Sequence, residues 1–256
     1  MMKYELELST PIMNAAGSLG FAPDIRSPID FSQFGAFVTN PVSWSRRSPA
    51  NTPRFHDYPG GFLLHTGLPN PGFNTVLRRY VRQWAESPLP VIVHILAEDV
   101  SRTARMVEQL ESFEGVAGIE IGLPPDVQPS HAKELVLSAL GEFPVLVRVP
   151  WEGAEELIKV LTEFDVSLFS LSPPRGVLPD PHGELFQGRL YGRSLLPTAL
   201  STVRRIAAQG IQIIGAGGVY TKGDAEVMLA VGAKAVQIDA ALWGSNWWHK
   251  SVGSSP

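Results

Sequence analysis

Three glycines near position 217 mark the stretch of sequence where chemistry is most readily predicted. Residues 211–214 read Ile-Gln-Ile-Ile, which predicts a buried parallel strand, and Gly215, Gly217 and Gly218 follow it. Residues 221–232 predict a helix, so the glycines lie between a strand end and a helix N-terminus. Backbone N–H groups and the helix dipole favour an anion there, typically a phosphate. A tight turn that binds nothing explains the glycines equally well.

Three titratable side chains are candidates for a general base, and each has a simpler alternative. Histidine side chains titrate near neutrality, and His65 lies in a long connection, although a loop histidine with no proton to move is the commoner case. His94 lies inside an apolar run and is better explained as a hydrogen-bonded core histidine. Asp126 stands beside two prolines, where an aspartate usually caps a loop. No pair of histidines or carboxylates has metal-ligand spacing, so no metal is predicted.

Composition restricts the class of protein. The chain has 256 residues, 44% hydrophobic and 18% charged, which suits a single domain over residues 1–256. The formal net charge of -4 argues against nucleic-acid binding, and the lack of cysteine excludes disulfides, thiolate zinc sites and a cysteine nucleophile. No apolar run reaches the roughly 18 residues of a membrane-spanning helix. We expect a soluble cytoplasmic protein that binds a small molecule, with a homodimer left open.

A basic cluster is interpreted as a solvated face; it consists of the arginines at 46, 47, 78, 79 and 82.

Strand and helix patterns alternate along most of the sequence, which predicts a parallel sheet. Eight strands predict that this sheet closes into one (β/α)₈ barrel. The alternative is an open doubly wound sheet, but no Gly-x-Gly-x-x-Gly lies near the N-terminus to support it. The predicted strands are 11–17, 35–40, 90–96, 118–123, 144–150, 166–172, 212–218 and 235–241, and the predicted helices are 74–84, 100–113, 131–140, 153–164, 196–208 and 221–232.

Two long connections and a short tail depart from a regular barrel. Residues 41–72 and 172–194 are rich in Pro, Gly and Arg, and both follow strand ends on the face where barrels place their sites. After the eighth strand the chain is too short for a full helix, so the eighth helix is predicted to be reduced or missing. Trp243, Trp247 and Trp248 either pack into that gap or form a partner surface, and the last ~8 residues are predicted to be frayed.

With these segments placed, the sequence resembles the dihydroorotate dehydrogenase family of FMN enzymes over about residues 11–243. The matching pieces are Pro-Ile-Met-Asn-Ala-Ala-Gly at 11–17, Gly-Ala-Phe-Val-Thr at 35–39, Gly-Leu-Pro-Asn-Pro-Gly-Phe at 67–73, Ile-Ile-Gly-Ala-Gly-Gly-Val at 213–219, Asp-Ala at 224–225 and Val-Gly-Ala-Lys-Ala-Val-Gln-Ile at 231–238. The Gly-Leu-Pro-Asn piece is the most distinctive, because a generic phosphate-binding barrel has no reason to carry it.

The resemblance implies an FMN across the C-terminal mouth of the barrel and a small substrate beside it. Arg148 stands where the family usually has a lysine that reaches the flavin; an internal salt bridge with Glu120 is the alternative role, and both can hold. The implied cofactor-binding residues are Ala16, Gly17, Thr39, Asn40, Arg148, Gly192, Arg193, Ser194, Gly217, Gly218 and Ala240. The implied substrate residues are Leu64, His65, Thr66, Gly67, Leu68, Asn70 and Ser170.

Several positions differ from the family pattern. Where the family carries a Cys or Ser base within an Asn-Leu-Ser-Cys-Pro-Asn type motif, residues 122–126 read Gly-Leu-Pro-Pro-Asp. Asn40 replaces a substrate-binding lysine, and Leu64 replaces an asparagine. His65 is the substitute base that remains.

The phosphate end differs as well. The family's Gly-Thr after strand eight reads Asp239-Ala240, and its Gly-Gly-Leu-Ser-Gly loop reads Tyr-Gly-Arg-Ser-Leu, ending at Leu195. A carboxylate beside a phosphate repels it by about 1 to 4 kcal/mol at ~4 Å. Arg193 could offset Asp239 by pairing with it or by contacting the phosphate.

Two functions of different classes follow from these observations. The first is an FMN-dependent oxidoreductase that oxidises dihydroorotate or a related small molecule, which the resemblance links to pyrimidine biosynthesis. The second is a catalytically degenerate barrel that acts as a ligand-binding or partner subunit, which the loss of the base, the lysine and the asparagines favours.

Overall fold

The computed structural model describes residues 6–51, 54–179 and 182–244. Their strands are β1 (Ile12–Asn14), β2 (Phe37–Val38), β3 (Phe55–Tyr58), β4 (Gly61–Leu64), β5 (Val91–Leu96), β6 (Val116–Gly122), β7 (Val145–Val149), β8 (Leu168–Leu171), β9 (Arg175–Pro179), β10 (Leu185–Tyr191), β11 (Ile214–Ala216) and β12 (Ala235–Ile238). Their helices are α1 (Phe73–Ala85), α2 (Val100–Leu110), α3 (Pro129–Ala139), α4 (Ala154–Leu161), α5 (Leu196–Ala207) and α6 (Lys222–Ala230).

Eight short parallel strands form the barrel wall in chain order. One sheet holds β2, β5, β6, β7 and β8, and another holds β11, β12 and β1. Parallel bridges from Phe169 to Ile213 and from Met13 to Ala36 join the two sheets. Each strand coincides with a predicted apolar run, and the closed (β/α)₈ class is confirmed. Strands buried on both faces read as continuous apolar runs, which is why the sequence located them.

The helices cover the barrel, with two exceptions. All six predicted helices are present within a few residues of their expected bounds. Between β1 and β2 the chain forms only the 3₁₀ turn Phe31–Gln33, and after β12 it forms the 3₁₀ turn Ala240–Trp243. The eighth helix is therefore reduced in the part of the chain that the structure describes. The predicted frayed end and the roles of Trp247 and Trp248 lie outside the described residues.

The two long connections pair with each other, which the sequence did not predict. They form a four-stranded antiparallel sheet in the order β3-β4-β10-β9. β3 and β4 make a hairpin that turns at Gly60, where φ is 101°. β4 then pairs with β10, with Leu64 opposite Arg189. Because that pairing joins distant segments, neither segment carries a local signal for it. We call this sheet the roof.

The core has two layers. The larger layer packs the helices against the outside of the barrel. A smaller apolar layer inside the barrel contains Met13, Ala36, Val38, Ile92, Leu146, Leu168, Ile214 and Ala235. Above this inner layer lies a polar cluster around Glu120, which is fully buried.

Candidate active site

A cavity of about 350 Å³ lies between the C-terminal ends of the barrel strands and the roof. We call it the mouth cavity. Its floor contains residues 15–18, which follow β1, together with Arg148 of β7 and Asp239 after β12. Its upper wall contains residues 64–68 and side chains of β9 and β10. The lining residues are Ala15, Ala16, Gly17, Ser18, Arg47, Leu64, His65, Thr66, Gly67, Leu68, Arg148, Arg175, Gln187, Gly188, Arg189, Tyr191, Asp239 and Trp243.

Arg148 is a buried cation at the cavity floor. Its side chain is 5% exposed, and its Nε has no hydrogen-bond partner among the described residues. No ion pair with Glu120 is formed within 4 Å in the described part of the chain, so the alternative of an internal Arg148–Glu120 salt bridge is wrong. Arg148 influences Glu120 through its field, because it is one of the charges that lower the pKa of that carboxyl.

Glu120 is instead hydrogen-bonded by side chains from three other strands. His94 Nδ1 lies 2.6 Å from its Oε2, while Ser170 Oγ and Gln237 Nε2 donate to its Oε1 at 3.0 and 2.7 Å. Burial alone would raise the pKa of Glu120, but the hydrogen bond and charge of His94, the charge of Arg148 and the Gln237 bond lower it to about 2. Burial lowers the pKa of His94 more than Glu120 raises it. His94 is therefore the hydrogen-bonded core histidine that its position in the strand predicts.

Asp239 is the carboxylate among the residues that line the cavity. Its Oδ1 accepts the N–H of Ala240 at 2.6 Å, at the start of the last 3₁₀ turn. Burial raises its pKa, and the Ala240 bond and the charge of Arg148 act in the opposite direction. Within the described residues Arg193 forms no ion pair with Asp239; its guanidinium lies over the ring of Tyr220, 5.0 Å from the centroid.

Gly217 and Gly218 form a buried turn beside the cavity and are not among its lining residues. Their φ angles are 97° and 76°, values that L side chains rarely adopt. A Cβ on Gly218 would lie 2.4 Å from the backbone nitrogen of Leu196, and one on Gly217 would lie 3.4 Å from the Trp151 ring. The start of α5 can therefore approach this turn closely only because glycine is present. α6 follows with a capping box between Thr221 and Asp224.

The structure divides the residues predicted from the sequence into two groups. Those that line the cavity are Ala16, Gly17, Leu64, His65, Thr66, Gly67, Leu68 and Arg148; those that do not are Thr39, Asn40, Asn70, Ser170, Gly192, Arg193, Ser194, Gly217, Gly218 and Ala240. Several of the second group hold the fold. Thr39 Oγ1 accepts the N–H of His94, Asn40 accepts that of Gly20, and Asn70 accepts that of Gly72. Their binding roles stay predictions.

Of the three candidate bases, only His65 lines the cavity. It is an exposed residue just after β4, and its backbone N–H donates to the carbonyl of Arg54. His94 is buried and hydrogen-bonded to Glu120, and Asp126 is exposed and outside the cavity lining. Catalysis by His65 stays a prediction.

The sequence interpretation missed five cavity residues on the roof: Arg175, Gln187, Gly188, Arg189 and Tyr191. Gln187, Arg189 and Tyr191 alternate along β10 and so point to one face of the strand. This period of two was the available signal, although residues 172–194 were interpreted as an irregular connection.

The described residues also bear on two other classes of site. Within these residues, no group of three His, Cys, Asp or Glu side chains is arranged to hold a metal ion. Across the same residues, none of the helices combines the length and the apolar character needed to traverse a bilayer.

Comparisons with known proteins identify the family. The sequence model described as dihydroorotate dehydrogenase matches residues 3–140 and 180–254. The chain is 29% and 28% identical to the catalytic subunits of dihydroorotate dehydrogenase B (NAD(+)) from Pelobacter propionicus and Geobacter metallireducens, over 92% of this chain and 84% of each relative. Its fold is similar to that of DHODH in complex with ferulenol from Eimeria tenella, with a TM-score of 0.72, 15% identity, and coverage of 95% of this chain and 80% of that one.

The family match has one internal gap, at residues 141–179. This interval contains β7, β8 and β9, and therefore both Arg148 and Arg175. The rest of the barrel and the most distinctive motif, at 67–73, fall inside the matched ranges. On these matches, the chain belongs to the dihydroorotate dehydrogenase family.

Proposed function

We propose that this chain is an FMN-dependent oxidoreductase of the dihydroorotate dehydrogenase type that oxidises a small organic anion in the mouth cavity. Its family membership supports the reaction class. The observation that carries the proposal is Arg148, a buried guanidinium at the cavity floor whose Nε has no partner among the described residues. A buried donor without a partner at the edge of a cavity supports an acceptor there, either a flavin ring atom or a substrate carboxylate.

The ring end of the site suits a flavin well. Ala16 and Gly17 are small, so a planar ring can approach the backbone, and Arg148 places a positive charge beside it. Such a cation stabilises negative charge on a reduced flavin. Bound FMN would supply a hydride acceptor at N5 for a substrate C–H bond. The residues of the chain would then hold the substrate against the ring and remove the adjacent proton.

The phosphate end is less favourable. Gly217 and Gly218 keep the positive φ angles and close packing of a phosphate-binding turn, and Arg193 lies near that end over Tyr220. Asp239, however, already uses the N–H of Ala240 and brings a carboxylate to the cavity. We therefore expect FMN to bind more weakly than in a chain with an uncharged residue at position 239.

His65 is the side chain that could take the substrate proton. It lies on the same segment as Leu64, Thr66, Gly67 and Leu68, which would contact the substrate. The positions that normally carry the base hold Pro124 and Pro125, neither of which can accept a proton. General-base catalysis supplies about 10² to 10⁴ in rate, so turnover of dihydroorotate should be slow.

The test is anaerobic mixing of FMN-loaded protein with dihydroorotate, followed by absorbance near 450 nm. We expect slow bleaching that His65→Ala removes. Bleaching within seconds that is unaffected by His65→Ala would contradict both the slow rate and the role of His65. Tight FMN binding without bleaching would indicate another substrate.

A matched variant tests the phosphate position. Gly217→Asp introduces a carboxylate at the glycine turn, so it should abolish FMN binding while circular dichroism shows an intact barrel. Gly210→Asp introduces the same side chain at an exposed glycine outside the cavity, where φ is also positive at 79°, and should bind FMN as the unaltered protein does. Unchanged FMN affinity in Gly217→Asp would place the phosphate elsewhere.

The second candidate function is a ligand-binding or partner subunit without redox chemistry. The observation that favours it is the pair of prolines at the base position, together with Asp239 at the phosphate end. Colourless protein that takes up no FMN at micromolar concentrations would support this function over the first.

A further inference from the structure

The roof carries a pair of cations that the proposed reaction does not use. Arg175 of β9 and Arg189 of β10 are direct partners across the antiparallel pairing, and both line the mouth cavity. Like charges directly opposite each other on neighbouring strands destabilise a sheet. Within the described residues, neither guanidinium forms an ion pair with a carboxylate.

The floor adds a third cation of the same kind. Arg148 is buried and keeps an unpartnered Nε, as described above. Burial lowers the pKa of Arg189, its contact with Tyr191 raises it, and the charges of Arg148 and Arg175 lower it further. Arg47 also reaches the cavity but is neutralised by Glu98.

The charges of the cavity do not balance. Among its lining residues, Arg148, Arg175 and Arg189 face one carboxylate, Asp239, whose pKa burial raises. Ionised Glu120 lies below the floor and acts on Arg148 through its charge, but within the described residues it forms no ion pair with either roof arginine. The roof pair therefore keeps two positive charges without a carboxylate partner, in addition to the unpartnered Nε of Arg148 on the floor.

We propose that the mouth cavity recognises a compact dianion, with one anionic group held by Arg148 on the floor and the other clamped between Arg175 and Arg189 on the roof. Gln187 lies on the same face of β10 as Arg189 and adds amide donors to the clamp. The fork of each guanidinium suits carboxylate and phosphate oxygens alike. The shared chemistry is therefore a small dicarboxylate or a phosphate ester. This inference rests on the proposed function only in taking the mouth cavity as the substrate site.

The experiment is calorimetric titration of the flavin-free full chain at fixed ionic strength, since salt screens such contacts. Succinate is compared with its monoanionic half-ester, and glycerol phosphate tests the phosphate source. We expect at least one dianion to bind tenfold or more tightly than the half-ester. Arg175→Gln and Arg189→Gln should each weaken that binding about 10- to 100-fold. Arg105→Gln, an exposed arginine on α2, is the control with the same charge change and should have no effect.

A second measurement separates ligand recognition from a structural role. Without ligand, Arg189→Gln should melt no lower than the unaltered protein, because the relief of repulsion with Arg175 and Arg148 offsets the lost contact with Tyr191. If Arg189 served only the fold, its removal would lower the melting temperature and leave dianion binding unchanged.

Equal affinity for dianion and half-ester, no binding of either dianion, or roof variants that bind as tightly as the unaltered protein would each overturn the proposal. None of these results depends on flavin. Absence of flavin bleaching together with dianion binding would contradict the proposed function alone. Flavin bleaching without dianion binding would contradict this inference alone.

Discussion

Buried charged side chains occur both inside the barrel and at the mouth cavity, but they differ in how completely their hydrogen bonds are satisfied by the protein. Inside the barrel, Glu120 receives hydrogen bonds from a histidine, a serine and a glutamine at 2.6 to 3.0 Å. At the cavity, Arg148 keeps a donor without a partner, and two roof arginines face each other. A closed polar network stabilises the fold, whereas an open one retains binding capacity for a ligand. The barrel network is complete without a ligand, whereas the arginines of the cavity need a ligand to satisfy their donors.

The largest expected effect comes from opening the closed network. Glu120→Gln replaces one carboxylate oxygen by an amide N–H₂ group, so one of the three side chains that contact Glu120 loses its acceptor. We expect a loss of about 1 to 3 kcal/mol in the free energy of unfolding. Chemical denaturation measures it, with Glu114→Gln, an exposed residue, as the control. A loss below about 1 kcal/mol would show that the cluster contributes little to stability.

Acid should open the same network without a mutation. The folded pKa of His94 is lowered, so the unfolded chain takes up a proton first and stability falls as the pH drops below 6.5. The pKa of Glu120 is also lowered, from 4.5 to about 2, so its contribution is present above 4.5 and is lost toward pH 2. Between pH 6.5 and 5 the loss should reach at most about 2 kcal/mol, from roughly 1.4 kcal/mol per pH unit.

His94→Gln isolates the first part of that pH dependence. The variant has no imidazole, so its unfolding free energy should change less between pH 6.5 and 5 than that of the unaltered protein. Denaturation curves at three pH values suffice. Parallel pH dependences would assign the acid sensitivity to other groups.

A smaller effect is expected from the carboxylate of the open region. Asp239→Asn removes a negative charge from the cavity, so FMN should bind roughly tenfold more tightly at pH 8. Because the pKa of Asp239 is raised, the unaltered protein should gain FMN affinity as the pH falls and the carboxyl is protonated. The variant should lack that gain. Fluorescence titration of FMN measures both, and equal affinities at every pH would remove Asp239 from the phosphate end.

The barrel could be predicted from the sequence because each of its strands is a local feature. A buried parallel strand is a continuous apolar run, and the helices between such runs have apolar residues at helical spacing. The roof could not be predicted this way, since β4 and β10 lie about half the chain apart in sequence and β10 carries the polar residues Gln187 and Arg189. Turn residues such as Gly60 indicated a hairpin only after the pairing was known.

The candidate site was predictable only in part, for a related reason. Residues 16–17 and 64–68 were located through family motifs, and they do line the cavity. The roof arginines lie outside the motifs that carry the resemblance, and their significance depends on facing each other across β9 and β10. Likewise, a charge pattern in one strand could not show that Glu120 has His94, and not Arg148, as its partner.

The long-range pairing of β4 with β10 also has a kinetic consequence. Leu64 and Arg189 meet only after the intervening barrel strands have brought their segments together, and loops of that length close slowly. The mouth cavity should therefore be the last part of the molecule to assemble during refolding. Recovery of ligand binding would then lag behind recovery of helical circular dichroism. A newly made chain would become compact before it can bind its ligand.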